Sequence, residues 1–165
     1  MSNAPAVRTA IAGLGRSGWN IHASLLADQP ERFSIVAVQD VLPERRTEAE
    51  ERFGCRSYAE FSDLIGDPEL ELVVIAVPSP LHASYAISAL QAGLHVLGEK
   101  PMATSLREAE TMVSARDESG KLLSIFQSWR FYPEMQKVLS IVRSGVLGKI
   151  LQARLTAHNF ARRWD

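Results

Sequence analysis

Six residues near the amino terminus restrict this chain more than any others. Gly13-Leu14-Gly15-Arg16-Ser17-Gly18 stands between an apolar, strand-like segment, Val7–Ala12, and a helical stretch with Ile21 and Leu25 one turn apart. A strand that passes straight into a helix through three glycines has few ways to fold. The first glycine permits a tight turn, the second leaves room above the backbone, and the third lets the helix close on the strand. Asp28-Gln29-Pro30 then breaks the helix.

The same order repeats down the chain. Residues 33–38 are β-rich and mostly apolar, as a strand covered on both faces requires, and they lead to Asp40. Pro43 fits the first turn of a helix to Phe53, with Gly54 as its stop. Ser57-Tyr58-Ala59-Glu60 has the spacing of a capping box and predicts a short helix through Ile65. Residues 72–77 are the most apolar strand, halted by Pro78 and Pro80. A helix over residues 81–92 follows, with Leu81, Tyr85 and Ala89 on one stripe. His95–Gly98 is a short strand that runs into Glu99-Lys100-Pro101. A second box, Ser105 to Glu108, starts a helix that Gly120 ends, and residues 122–126 form the next strand.

Unbroken alternation of this kind predicts an α/β fold, a doubly wound parallel sheet with helices on both faces and right-handed crossovers. Residues 1–126 form that domain. Residues 127–165 read as a linker helix, with Met135, Val138, Leu139 and Val142 on one face, and a strand over residues 149–159. A last strand without partners leaves an open edge, so this segment is expected to begin a truncated second α+β domain.

Several classes of function are excluded by composition. Lys and Arg total 18 against 19 Asp and Glu, and no basic excess marks a surface for nucleic acid. Arg162-Arg163 reads as a solvated patch. The longest apolar run, residues 72–77, is far short of the ~20 residues that span a bilayer. No secretory signal opens the chain. Cys55 is alone, and with four scattered histidines it makes no structural zinc site. The chain is expected to be cytoplasmic and metal-free, and to bind neither nucleic acid nor membrane.

The residues that carry chemistry follow strands, where ligands of such sheets bind. Gly13, Leu14, Gly15, Arg16, Ser17 and Gly18 can cradle a nucleotide pyrophosphate, assisted by the helix N-terminus behind them. Asp40 lies 22 residues beyond Gly18, close to the roughly 20 expected of an acid that holds the adenosine ribose. It also fits a turn former at a strand end. As a ribose ligand it favours NAD; Arg45 and Arg46 read as solvated helix charge, or as a place for the 2′-phosphate of NADP if Asp40 turns away. Val77, Pro78 and His82 face the same crevice, with His82 suited to positioning or packing. Glu99 and Lys100 after a buried strand read either as the lip of a site or as a surface ion pair. His22 and His95 read as packing or satisfied polar residues, and His158 lies on the orphan strand. Trp129, Arg130 and Phe131 form an aromatic–basic cluster that suits a pocket wall or interdomain packing.

Several separated strings resemble one family, the Gfo/Idh/MocA oxidoreductases, in its amino-terminal half. They are Ile11-Ala-Gly-Leu-Gly-Arg-Ser-Gly18, Ala76-Val-Pro-Ser-Pro-Leu-His82, Ala92-Gly-Leu-His-Val-Leu-Gly-Glu-Lys-Pro101, Trp129-Arg-Phe-Tyr-Pro133 and Gly145-Val-Leu-Gly-Lys-Ile150. The resemblance implies a Rossmann fold in which the three glycines hold the pyrophosphate and Asp40 the ribose. It implies that Glu99 and Lys100 contact the nicotinamide ribose, that Lys100 also reaches the reacting hydroxyl, and that Pro101 follows a cis peptide bond. The implied activity moves a hydride between NAD, or NADP, and a secondary hydroxyl of a sugar or polyol. Non-catalytic dinucleotide sensors and NAD-dependent sugar hydrolases or dehydratases share the same fold. The family's acid–base histidine, in a downstream D-x-x-x-H motif, has no counterpart before Asp165. The chain alone is therefore expected to bind nucleotide with negligible turnover, and homo-oligomers are expected to form through the second domain.

Overall fold

The computed structural model describes residues 5–156, and the chain divides into two compact units between Gln127 and Ser128. Among the described residues of the first unit, six strands make one all-parallel sheet. They are β1 (Val7–Ala12), β2 (Phe33–Gln39), β3 (Arg56–Tyr58), β4 (Leu72–Ile75), β5 (His95–Gly98) and β6 (Leu123–Ile125). Their spatial order is β3-β2-β1-β4-β5-β6, so the chain winds outward in one direction, returns to the middle, and winds outward in the other. The helix that follows β1 opens as a wide π-wound stretch, Gly18–Ala23, and closes as α1 (Ser24–Ala27). Then come α2 (Pro43–Phe53), α3 (Phe61–Ile65), α4 (His82–Gln91) and α5 (Leu106–Ser119).

Alternation along the strands builds two cores. Ala10, Ala12, Val73, Ile75 and Val96 face Leu64, Ala86, Leu90 and Met112 of α3, α4 and α5. Ile11, Val38 and Val74 face the other way, toward Leu14, Ala23, Leu26 and Ala49. Neighbouring residues of one strand therefore lie in different cores, which is why the central strands read as continuous apolar runs. The register of β1 on β2 shifts between Thr9 and Ala10, one irregularity in an otherwise even ladder.

The Ser105 box caps α5, because the Ser105 hydroxyl accepts the Glu108 N–H at 3.2 Å and the Glu108 carboxylate accepts the Thr104 N–H at 2.9 Å. The Ser57 box does not form. Residues 56–58 pair with β2 as an edge strand, and Ser57 donates its hydroxyl to Glu50 instead of capping α3. The side chains of this strand are held by Asp67, which accepts from Arg56 Nε at 2.8 Å, Tyr58 OH at 3.0 Å and Glu69 N–H at 3.0 Å. Arg56 also reaches Glu69 at 2.6 Å. Burial works against ionised Asp67, but these donors outweigh it and hold its carboxyl below the usual range.

The second unit contains a short 3-10 turn, Ser128–Phe131, and α6 (Pro133–Arg143). Trp129 stacks on Tyr132 with ring centroids 5.6 Å apart. The strand expected over residues 149–159 is absent from its described part, because residues 149–156 pair with no neighbour and an isolated strand has no ladder to join. Residues 157–159, with His158, and Arg162-Arg163 lie outside the described residues.

A depressed carboxyl stabilises the fold above its ordinary value of 3.8, and that contribution is lost as pH falls through the lowered one. Asp67→Asn is therefore expected to cost about 2 kcal/mol at neutral pH and progressively less in acid. Urea midpoints of both proteins between pH 7 and pH 3, read with the slope held in common, check this.

Candidate functional site

Strand order reverses between β1 and β4, and a cleft of about 440 Å³ opens there, a size suited to a small-molecule ligand. Its walls come from the turn after β1 (Gly13, Gly15, Arg16, Ser17), the end of β2 (Gln39, Asp40, Val41), Arg45 of α2, and the turn after β4 (Ala76, Val77, Pro78, Leu81) with Tyr85 of α4.

Each of the three glycines answers a different constraint. Gly13 has φ +86°, and a Cβ there would lie 2.7 Å from the Ala76 carbonyl oxygen. At Gly18 a Cβ would lie 1.8 Å from the Gly13 oxygen, so helix and turn approach closer than any side chain allows. Gly15 differs, since a Cβ there would meet nothing within 4 Å. Among the described residues no atom requires glycine at this position, and the space left open lies on the cleft wall. The Trp19 N–H closes the first turn on Gly15 O at 2.8 Å, leaving the N-terminal amides ahead of it without helical partners. This arrangement suits an anion such as a pyrophosphate.

Asp40 is 4% exposed, and both of its carboxylate oxygens are engaged with backbone. Oδ2 accepts the Leu14 N–H at 2.7 Å, which ties the glycine turn to the end of β2, and Oδ1 accepts the Leu42 N–H at 2.9 Å. Arg45 lies 3.3 Å from Oδ2, and Arg46 donates to the Asp40 carbonyl at 2.7 Å. Leu14 is thus present through its amide, with its side chain in the core. Gln39 was not singled out by sequence reasoning. It donates to the Ala59 carbonyl at 2.8 Å and leaves Oε1 without a hydrogen-bond partner among the described residues. A buried acceptor lacking a donor beside an open cleft fits a site built for a polar ligand. The available signal was a glutamine at the end of an otherwise apolar strand.

The remaining candidates gather beyond β5 and do not line this cleft. Glu99 turns inward, 6% exposed, where Oε1 pairs with His22 Nε2 at 3.1 Å and Oε2 accepts the Lys100 N–H at 3.0 Å. His82, 3% exposed, places Nδ1 at 2.7 Å from the Pro101 carbonyl and Nε2 at 2.9 Å from that of Val77. Lys100 is exposed, and the Lys100–Pro101 peptide is cis. His95 accepts the Leu122 N–H at 3.0 Å, a satisfied polar residue remote from the chemistry.

Burial lowers the His22 pKa from its ordinary 6.5, and the Glu99 carboxylate offsets this only in part. The folded protein therefore holds His22 neutral while the unfolded chain takes up a proton near 6.5. Stability contributed by this site is present above that value and lost as pH falls below it. His22→Gln is expected to flatten the fall in melting temperature between pH 7 and pH 5. A second expectation separates the glycines: Gly18→Ala destabilises the fold by about 1–3 kcal/mol. Gly15→Val is expected to leave the melting temperature nearly unchanged and to abolish NADH binding. Thermal melts paired with NADH titrations check both.

Comparison with known proteins identifies the family and the fold. The family described as "Oxidoreductase family, NAD-binding Rossmann fold", Gfo/Idh/MocA, matches residues 7–127. A scyllo-inositol 2-dehydrogenase (NADP(+)) of Bacillus subtilis (strain 168) is 32% identical over 87% of this chain and 39% of its own length. The structure of the WlbA dehydrogenase from Bordetella pertussis, in complex with NADH and UDP-GlcNAcA, superposes with a TM-score of 0.85. It is 33% identical and matches 90% of this chain and 44% of that one. Myo-inositol 2-dehydrogenase from Lactobacillus plantarum gives 0.81 at 27% identity, over 88% of this chain and 43% of that one. The chain thus spans about two fifths of the length of these relatives. With its glycine turn, its strand order and a family match over 121 of 165 residues, the chain belongs to the Gfo/Idh/MocA oxidoreductases and carries their NAD-binding Rossmann fold.

Proposed function

We propose that this chain is the cofactor-binding part of an NAD(P)-dependent dehydrogenase that acts on a secondary hydroxyl of a sugar or polyol. The observation that carries the reading is the Gly15 position, open on the cleft wall between two glycines that are sterically required. The pyrophosphate takes the space above Gly15 and the amides of Arg16, Ser17 and Gly18. Asp40 and Gln39 meet the adenosine ribose, and Val77, Pro78, Leu81 and Tyr85 give the adenine an apolar wall. Bound nicotinamide supplies the two-electron redox chemistry. Lys100 Nζ hydrogen-bonds the reacting hydroxyl and helps to move its proton. Residues beyond this chain complete the substrate site and the acid–base pair, and associate the enzyme into a homo-oligomer in the cytoplasm. The inositol dehydrogenases among its relatives support a polyol as substrate.

NADP is a second reading, favoured by one observation. Arg45 lines the cleft 3.3 Å from Asp40, where it can turn to a 2′-phosphate. Titration of the purified chain, followed by nicotinamide fluorescence, is expected to show saturable binding with NADH preferred over NADPH. Arg45→Ala is expected to widen that preference about tenfold, the worth of one charge-assisted contact. A preference for NADPH overturns the assignment of Asp40, and no binding of either nucleotide overturns the cofactor site. In the whole enzyme, Lys100→Ala is expected to lower kcat at least a hundredfold with nucleotide affinity retained.

A further inference from the structure

We propose that His22 and His82 are positioning residues that grip the Glu99-Lys100-Pro101 turn from both sides and fix the backbone from which Lys100 projects. The proposal rests on the reading of the cleft as a dinucleotide site with Lys100 at its reactive end. The turn begins where β5 ends, at Gly98, and its three residues are treated differently by the fold. Glu99 is buried, Lys100 is exposed, and Pro101 offers a carbonyl with no N–H of its own.

On one side the grip runs through a carboxylate. A buried carboxylate is costly unless each oxygen is satisfied. Glu99 meets this requirement with one oxygen on His22 and the other on the amide of the very next residue, Lys100. Burial keeps the His22 ring neutral, so its single N–H lies at Nε2 and is donated to Glu99. Phe126 meets the His22 ring in a T-shaped contact, with ring centroids 4.8 Å apart and planes at 65°, and limits the rotation of that ring. The bond to Lys100 N–H therefore has a fixed acceptor, held by a residue 77 positions away in sequence.

On the other side the grip runs through a carbonyl. His82 Nδ1 lies 2.7 Å from Pro101 O and Nε2 lies 2.9 Å from Val77 O. The ring thus bridges the turn after β5 to the turn after β4, and Val77 itself lines the cleft. A carbonyl oxygen only accepts, so the ring is the donor wherever a protonated nitrogen meets one of these carbonyls. Lys100 stands between two anchored neighbours, its backbone bound to Glu99 and its side chain left to reach a ligand. A flexible lysine stem gains most in precision when its backbone is held, because loss of reacting geometry lowers rate steeply.

Two ligands separate this role from simple packing. ADP-ribose reports on the glycine turn and Asp40, whereas NADH also senses the nicotinamide end beside Lys100. In the purified chain, His22→Ala is expected to leave ADP-ribose affinity within about twofold and to weaken NADH about fivefold or more, and His82→Ala, which also frees Val77, to weaken NADH more than ADP-ribose. The fluorescence enhancement of bound NADH is expected to fall with them. His22→Gln, whose amide can still donate to Glu99, is expected to restore most of the NADH affinity. Equal loss for both ligands, or no loss for either, overturns the proposal. Amide exchange reads the same grip in the wild-type chain without a variant. The Lys100 N–H is expected to be protected despite its exposed side chain, and free exchange there overturns the grip even where both nucleotides bind. If Lys100 is protected but the wild-type chain binds neither nucleotide, the cofactor reading falls and the grip on the turn stands.

Discussion

The absence of a side chain at Gly18 is the constraint on which the rest of this structure depends. The backbone oxygen of Gly13 occupies the place where a Cβ would stand, and this contact lets the first helix begin directly above the end of β1. Everything at the cleft inherits its position from that approach. The turn is then closed from the side by Asp40, whose carboxylate reaches the Leu14 amide from the end of the neighbouring strand. Steric permission and one charged hydrogen bond together define the shape of the open space above Gly15.

The two buried acids of the switch-point region share a design. Asp40 follows β2 and Glu99 follows β5, and each accepts a backbone N–H from the turn it organises. A carboxylate in this role is rigid because both oxygens are occupied, and it adds negative charge without exposing it. The basic partners differ in kind. Asp40 meets a partly exposed arginine, whereas Glu99 meets an imidazole sealed inside the fold. The turn held by Asp40 can therefore adapt electrostatically, while the turn held by Glu99 is fixed.

Much of the fold was legible in local pattern. The apolar runs of β1, β2 and β4, the glycine turn and the Ser105 cap depend on neighbours within a few residues, and the structure reproduces them. What the sequence did not disclose depends on partners far along the chain. Residues 57–60 carry the pattern of a helix cap, yet Tyr58 and Arg56 answer to Asp67 and pair as β3. The expected strand after Lys149 had alternation but no partner, and alternation alone does not make a ladder. At the site, the glycines and Asp40 announced themselves by spacing. Gln39 and the inward turn of Glu99 did not, because an orphaned acceptor and a histidine 77 residues distant leave no local trace.

The edge at β3 has a consequence for the life of the protein outside its chemistry. A parallel sheet must end somewhere, and an open margin invites another chain to extend it. Here the outermost strand has only three paired residues, and its first, Arg56, is bound to two carboxylates that crowd the margin with charge. An incoming segment would have to displace that ion network before it could form its first backbone bond. The arrangement that holds the side chains of this strand also keeps the finished sheet from growing at that side.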